Sequence, residues 1–139
     1  SDLDRLSAVL TRLRGRDLAA APDLRTMLEQ TFLAAVDGEW LWPYRAHWDA
    51  EAMRALDLAA TLAEGAGRLQ EALDYLRREA EYCPDDPALT RRIMALAHTI
   101  GDGGMLRAAY LQHCRAAREE LGVEPDGAVV ALYGELMGR

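Results

Sequence analysis

Two glycine breaks constrain this chain more than any other feature: Gly67 inside "EGAGR" and Gly101 inside "TIGDGG", 34 residues apart. Superposing them sets Ala55 on Leu89, Ala60 on Met94, Ala63 on Ala97, Ala72 on Leu106 and Leu76 on Tyr110. Identities are few, but the apolar phase and the breaks coincide. A unit of this size holds two helices and a turn. One such hairpin cannot bury its own apolar face, so hairpins must stack on each other and leave a groove along the stack.

Helical periodicity fills the rest of the chain. Leu3, Leu6, Leu10 and Leu13 recur at three- and four-residue steps, giving a first amphipathic helix that Gly15 can end. Pro22 suits the opening of a second helix, followed by the "VDGEW" turn. A third runs from Pro43 to about Ala66, with Trp48, Ala52, Ala55, Ala59 and Leu62 on one face. The fourth covers "LQEALDYLRREAEY" and turns Leu69, Ala72, Leu73 and Leu76 inward. Pro84 stops it, and Asp86 with Pro87 caps and opens a fifth that reaches Ile100. The sixth covers "MLRAAYLQHCRAAREEL"; the seventh, "AVVALYGELM", starts from Asp126 as cap. No segment alternates long enough to make a strand. The expected fold is all-α: about seven helices stacked as tetratricopeptide-like hairpins in a right-handed α-α superhelix. The Gly near each turn and Pro84 at the end of the first unit fit that repeat, whereas its usual Trp and Tyr markers are missing.

The 139 residues suit a single domain, half of it apolar. No run reaches the ~18–20 apolar residues that span a bilayer, and no export signal is visible. The leading Ser-Asp suggests a domain cut from a longer chain. Cys83 and Cys114 are too few and too far apart for a disulfide framework, so both are expected as reduced, partly buried thiols in a cytoplasmic protein. The formal charge is −7, and all 16 basic residues are arginines. A surface that neutralises phosphates should be basic, so nucleic-acid binding by this chain, and membrane association, are not expected.

Catalytic signatures are missing. His47 and Glu51 stand four apart on one helix, a spacing that more often gives a surface hydrogen bond than a metal site. "GDGG" has no Lys after it and no strand before it, so it reads as a turn and not a phosphate loop. There is no nucleophile elbow and no paired Cys motif. Neither enzymatic activity nor a cofactor or metal is expected.

The most specific stretch is "AAREELGVEPDGAVVALYGEL", residues 116–136. Gly122 fits the left-handed position past a helix end, Val123 can fold back on the last turn, Pro125 blocks continuation and Asp126 starts the next helix. No acid, base or metal ligand elsewhere in the sequence points to Glu119, Glu120 and Glu124, so the corner reads as solvated. The run "EELGVEPD…LY" resembles the hallmark of the bacterial transcriptional activator domain found in Streptomyces antibiotic regulatory proteins. "IGDGGMLRAAYLQHCR" is similar to the segment that precedes it there, and "FLAAVDGEW" resembles the family's "FLPG…EW". The resemblance spreads over nearly the whole chain. It marks Trp40, Tyr110, Glu120, Leu121, Gly122, Val123, Pro125, Leu132 and Tyr133 as family-motif positions, with Arg45, Trp48 and Leu56 falling on further matching positions. Gln30-Thr31 and Ala34-Ala35 depart from the family's Gly-Asp and Pro-Gly, and Leu106 replaces its usual Ala.

The resemblance implies a regulatory domain of a bacterial transcription regulator. Its partners would be proteins: a second copy (a homodimer), its own DNA-binding or sensor domain, or RNA polymerase. The winged-helix domain that usually precedes such a module has no counterpart here. A peptide-binding scaffold without a transcriptional role is the alternative. All three tryptophans fall in "EWLWPYRAHW". Trp40 and Trp48 are expected to close a helix seam; Trp42, with Arg45 and Tyr75, is a candidate partner-facing residue.

Overall fold

In a computed structural model that describes residues 2–14 and 42–138, every regular element is helical. Six α-helices are present among the described residues: α1 (Asp2–Arg14), α2 (Trp42–Gly65), α3 (Leu69–Tyr82), α4 (Pro87–Ile100), α5 (Gly103–Arg115) and α6 (Gly127–Met137). A single π-turn (Ala116–Glu120) follows α5. The helix expected from Pro22, the "VDGEW" turn and Trp40 lie outside the described residues. The chain divides into two compact units, Ser1–Arg68 and Leu69–Arg139.

In the first unit α1 packs on α2. Among the described side chains of α1, Val9 and Leu10 are buried. The buried face of α2 carries Trp48, Ala52, Ala55, Leu56, Ala59, Ala60 and Ala63. With five alanines among those seven, the wall is low, and a low wall admits a neighbouring helix to the near end of the usual ~8–10 Å spacing. Trp48 is buried, as expected of a residue that closes a seam.

The second unit is arranged around α4, which contacts α3, α5 and α6. Its start follows directly from "PDDP". The Asp86 carboxylate accepts the amides of Ala88 and Leu89 at 3.0 and 3.3 Å, and Pro87 occupies the first helical position, where its missing N–H costs nothing. The core of the unit joins Ala72, Leu73, Tyr75 and Leu76 of α3 to Leu89, Ile93, Met94, Leu96 and Ala97 of α4, with Leu106 and Cys114 of α5 and Val129 and Leu136 of α6.

The 34-residue period survives at the level of backbone bonds. Gly67 and Gly101 both have positive φ, 77° and 89°. After each, the next amide reaches back five residues: Arg68 to the Ala63 carbonyl at 2.8 Å, Asp102 to the Ala97 carbonyl at 2.9 Å. Each glycine amide also bonds the carbonyl three residues back, on Glu64 and His98. These are two complete Schellman caps, which satisfy carbonyls that the helix end would otherwise orphan. The superposed pairs Ala55/Leu89, Ala60/Met94, Ala63/Ala97 and Ala72/Leu106 are buried throughout, and Tyr110, opposite the buried Leu76, is half-buried.

Two boundaries differ from expectation. α5 starts at Gly103 and not Met105, because Asp102 caps it by accepting the Met105 amide at 2.9 Å. The helix foreseen over 105–121 ends as an α-helix at Arg115 and widens into the π-turn.

Candidate interaction surface

The corner between α5 and α6 is built around one buried histidine. In the α-helical phase of α5, positions 106 and 113 share the inward side, and both residues are buried, as are Ala116 and Ala117 at the start of the π-turn. His113, only 2 % exposed, is therefore carried into the core by the helix period. Its Nε2 accepts the Asp126 amide at 3.3 Å. The ring proton then belongs on Nδ1, which makes a long 3.5 Å contact with the Thr90 hydroxyl. Thr90 is buried too, and its hydroxyl donates to the Asp86 carbonyl at 2.9 Å. One imidazole thus ties the first turn of α4, the end of α5 and the cap of α6 together. Asp126 completes the junction: its carboxylate accepts the amides of Ala128 and Val129 at 3.0 and 3.1 Å.

The chain turns this corner through the π-turn and Gly122, whose φ is +65°. The Val123 amide reaches back six residues to the Ala117 carbonyl at 3.0 Å. That is one residue more than in the two Schellman caps, as expected where the preceding turn is wound one residue wider. Across the α5–α6 contact the rings of Tyr110 and Tyr133 stack, with centroids 3.9 Å apart and planes 3° from parallel. A hydrogen bond with the Cys114 side chain, with burial second, holds the Tyr110 phenol above the ordinary tyrosine range.

The motif residues divide between scaffold and surface. Gly122, Pro125, Leu132, Tyr110 and Tyr133 belong to the corner and its packing, and Pro125, Leu132 and both tyrosines are half-buried. Glu120, Leu121 and Val123 face outward, and Leu121 and Val123 are 55 % and 51 % exposed despite being apolar. Arg118 meets Glu124 at 3.6 Å across solvent. Tyr75, a candidate partner-facing residue, is buried, at 3 % exposure. It sits about 60° from Ala72 around α3, on the edge of an apolar sector wider than the Leu69–Ala72–Leu73–Leu76 stripe. Trp42 and Arg45 fall in the first turn of α2, with side chains outside the described set, and Trp40 lies outside altogether.

Two features escape a reading of motifs alone. His113 belongs to no motif, although its helical phase, seven residues after the buried Leu106, is a signal of burial. The other is an open groove of about 560 Å³ on the outer side of α5, lined by Pro84, Ala108, Leu111, Arg115, Ala116 and Glu119, among others.

No three of the described His, Cys, Asp and Glu residues cluster to hold a metal. Cys83, part-buried, donates to the Glu79 carbonyl at 3.5 Å. Burial, then the carboxylates of Asp86, Glu79 and Asp85, push its thiol up to about 11, the opposite of the shift a nucleophilic thiolate needs. His47 is exposed, and Glu51 is engaged by Arg54 instead. No helix among the described residues is long and apolar enough to cross a membrane.

All-helical units with capped helix ends, one of them holding a buried polar junction and an open groove, define an all-α class of domain. Within that class the assignment is direct: the chain matches the bacterial transcriptional activator domain over residues 3–137 and belongs to that family. The family is regulatory and not enzymatic. No curated protein and no solved structure gives a significant match to the chain.

Proposed function

We propose that this chain is the protein-contact domain of a transcription regulator and that it works as one module in the cytoplasm without catalysis or cofactor. It would hold a second copy, its own DNA-binding or sensor domain, or RNA polymerase. The observation that carries the reading is the family match across nearly the whole chain. The charge of −7 supports a protein target over a phosphate backbone. The corner supports it as well, because it leaves Leu121 and Val123 outside while its polar groups are satisfied within. Rigid hairpins present such a surface without ordering cost at binding.

Light scattering of the domain, alone and mixed with the rest of its parent chain, tests the proposal. A concentration-dependent gain in mass, or a complex with the parent fragment, is expected. A domain that stays monomeric, ignores the parent chain, and binds duplex DNA with sub-micromolar affinity at ~150 mM salt would refute it.

A further inference from the structure

Residues 103–118 contain three arginines and no Asp or Glu, although the chain as a whole has 23 acidic residues and a charge of −7. The basic groups are not scattered. Arg107, Leu111 and Arg115 follow one another at four-residue steps along α5, so they lie within about 80° around its axis. All three are exposed, and Leu111 is 51 % exposed. Among the described residues Arg107 and Arg115 make no ion pair, whereas Arg118, one turn on, is engaged by Glu124. Beside this strip runs the ~560 Å³ groove, where Leu111, Ala108 and Pro84 supply an apolar wall and Arg115 a charged one. Glu119 and Glu120, four and five residues after Arg115 and away from Arg107 along the chain, line it too.

We infer that the outer strip of α5 docks an acidic amphipathic segment of a partner protein. The inference rests on the protein-contact reading above and specifies its chemistry. An apolar side chain of the segment fills the groove against Leu111 and Pro84, and its carboxylates meet Arg107 and Arg115. Arginine suits this role because its planar fork binds a carboxylate with two parallel hydrogen bonds. Glu119 and Glu120 repel further acids, so the segment runs with its acidic part towards Arg107 and a neutral or basic part over the glutamates. The site is therefore directional. A nucleic acid, with uniform charge along its length, would meet that repulsion at one end and find no use for the apolar wall.

The test is fluorescence anisotropy with a labelled synthetic peptide of about 14 residues. Its leucines stand at helical spacing, its glutamates fill one half and two arginines occupy the other. Saturable binding is expected, weakened at least tenfold in the R107E/R115E variant and in L111N. The R77E/R91E variant removes two exposed arginines elsewhere in the unit and should bind like the parent. Far-UV circular dichroism checks that each variant keeps its helix content. The inference is overturned if the peptide does not bind, if both arginine pairs matter equally, if a leucine-free peptide binds as well, or if a DNA duplex displaces the peptide. It also falls if R107E/R115E abolishes only self-association, because the occupant is then a second copy. Light scattering of the same variants keeps the two readings apart: if association with the parent chain persists while the peptide fails, only this inference is lost.

Discussion

Replacing Gly122 by valine isolates backbone conformation from packing. At φ +65° an L-residue pays about 1–2 kcal/mol for the left-handed region. A Cβ placed there meets no atom within 4 Å, so no steric clash adds to that cost. Loss of glycine's freedom in the unfolded chain returns about 0.4–1 kcal/mol. Gly122→Ala should therefore lower stability by about 0.5–1 kcal/mol. Valine is worse, since a β-branched side chain is a genuine outlier at positive φ, and about 2 kcal/mol is expected. Asparagine, which tolerates this region, should cost least of the three. For a chain of this length about 2 kcal/mol lowers Tm by roughly 6–8 °C. Thermal and urea melts followed at 222 nm read the series directly. Valine melting like the parent, or asparagine melting as low as valine, would refute the reasoning, because the corner would then not depend on this residue's φ.

Three further outcomes follow from the same junction and its neighbours. His113→Ala leaves the Asp126 amide without its acceptor and opens a cavity, at a cost of about 3 kcal/mol in urea unfolding; hydrogen exchange at Asp126 should quicken by more than tenfold, and unchanged exchange would contradict the bond. Asp126→Ala removes the cap of α6 and should cost about 1 kcal/mol. For Cys83, a thiol held up to about 11 is protonated throughout the neutral range and becomes thiolate only as pH rises through that value. Alkylation by iodoacetamide should therefore be roughly a thousandth of the full thiolate rate at pH 8 and climb about tenfold per pH unit up to pH ~10; a fast, pH-independent reaction at pH 7 would show that the burial and the surrounding carboxylates do not act as described.

Much of the fold was legible because helix ends are written locally. Asp86-Pro87 and Asp126 act through their own side chains on amides two and three residues away. Gly101 and Gly122 are needed at a φ that few other residues accept. The 34-residue period aligned the two glycine breaks, and the same residue type in the same frame closes the same bonds. What stayed hidden depends on partners distant in sequence. His113 finds Thr90, 23 positions earlier, and Asp126, 13 later, and no spacing rule announces either. Tyr75 went inside because the buried sector of α3 is broader than its leucines alone outline. The π-turn buries Ala116 and Ala117 just before Gly122, and propensities do not encode it.

The motif that identifies the family contains two kinds of residue, and stability measurements should separate them. Gly122 and Asp126 act on the backbone, and Pro125 is half-buried. Leu121 and Val123 are more than half exposed. Folding gains little from them: an exposed apolar side chain keeps most of its surface in water, and its removal usually changes stability by within about 0.5 kcal/mol. The L121S/V123S variant should therefore melt within about 2 °C of the parent, in contrast to G122V one position away. If the domain binds protein through this corner, the same variant should lose mass in light scattering, or affinity for its parent chain, by at least fivefold. A large drop in Tm would place both side chains in the folding core and remove the corner as a contact surface. A variant that both melts and associates like the parent would confine the binding to another face.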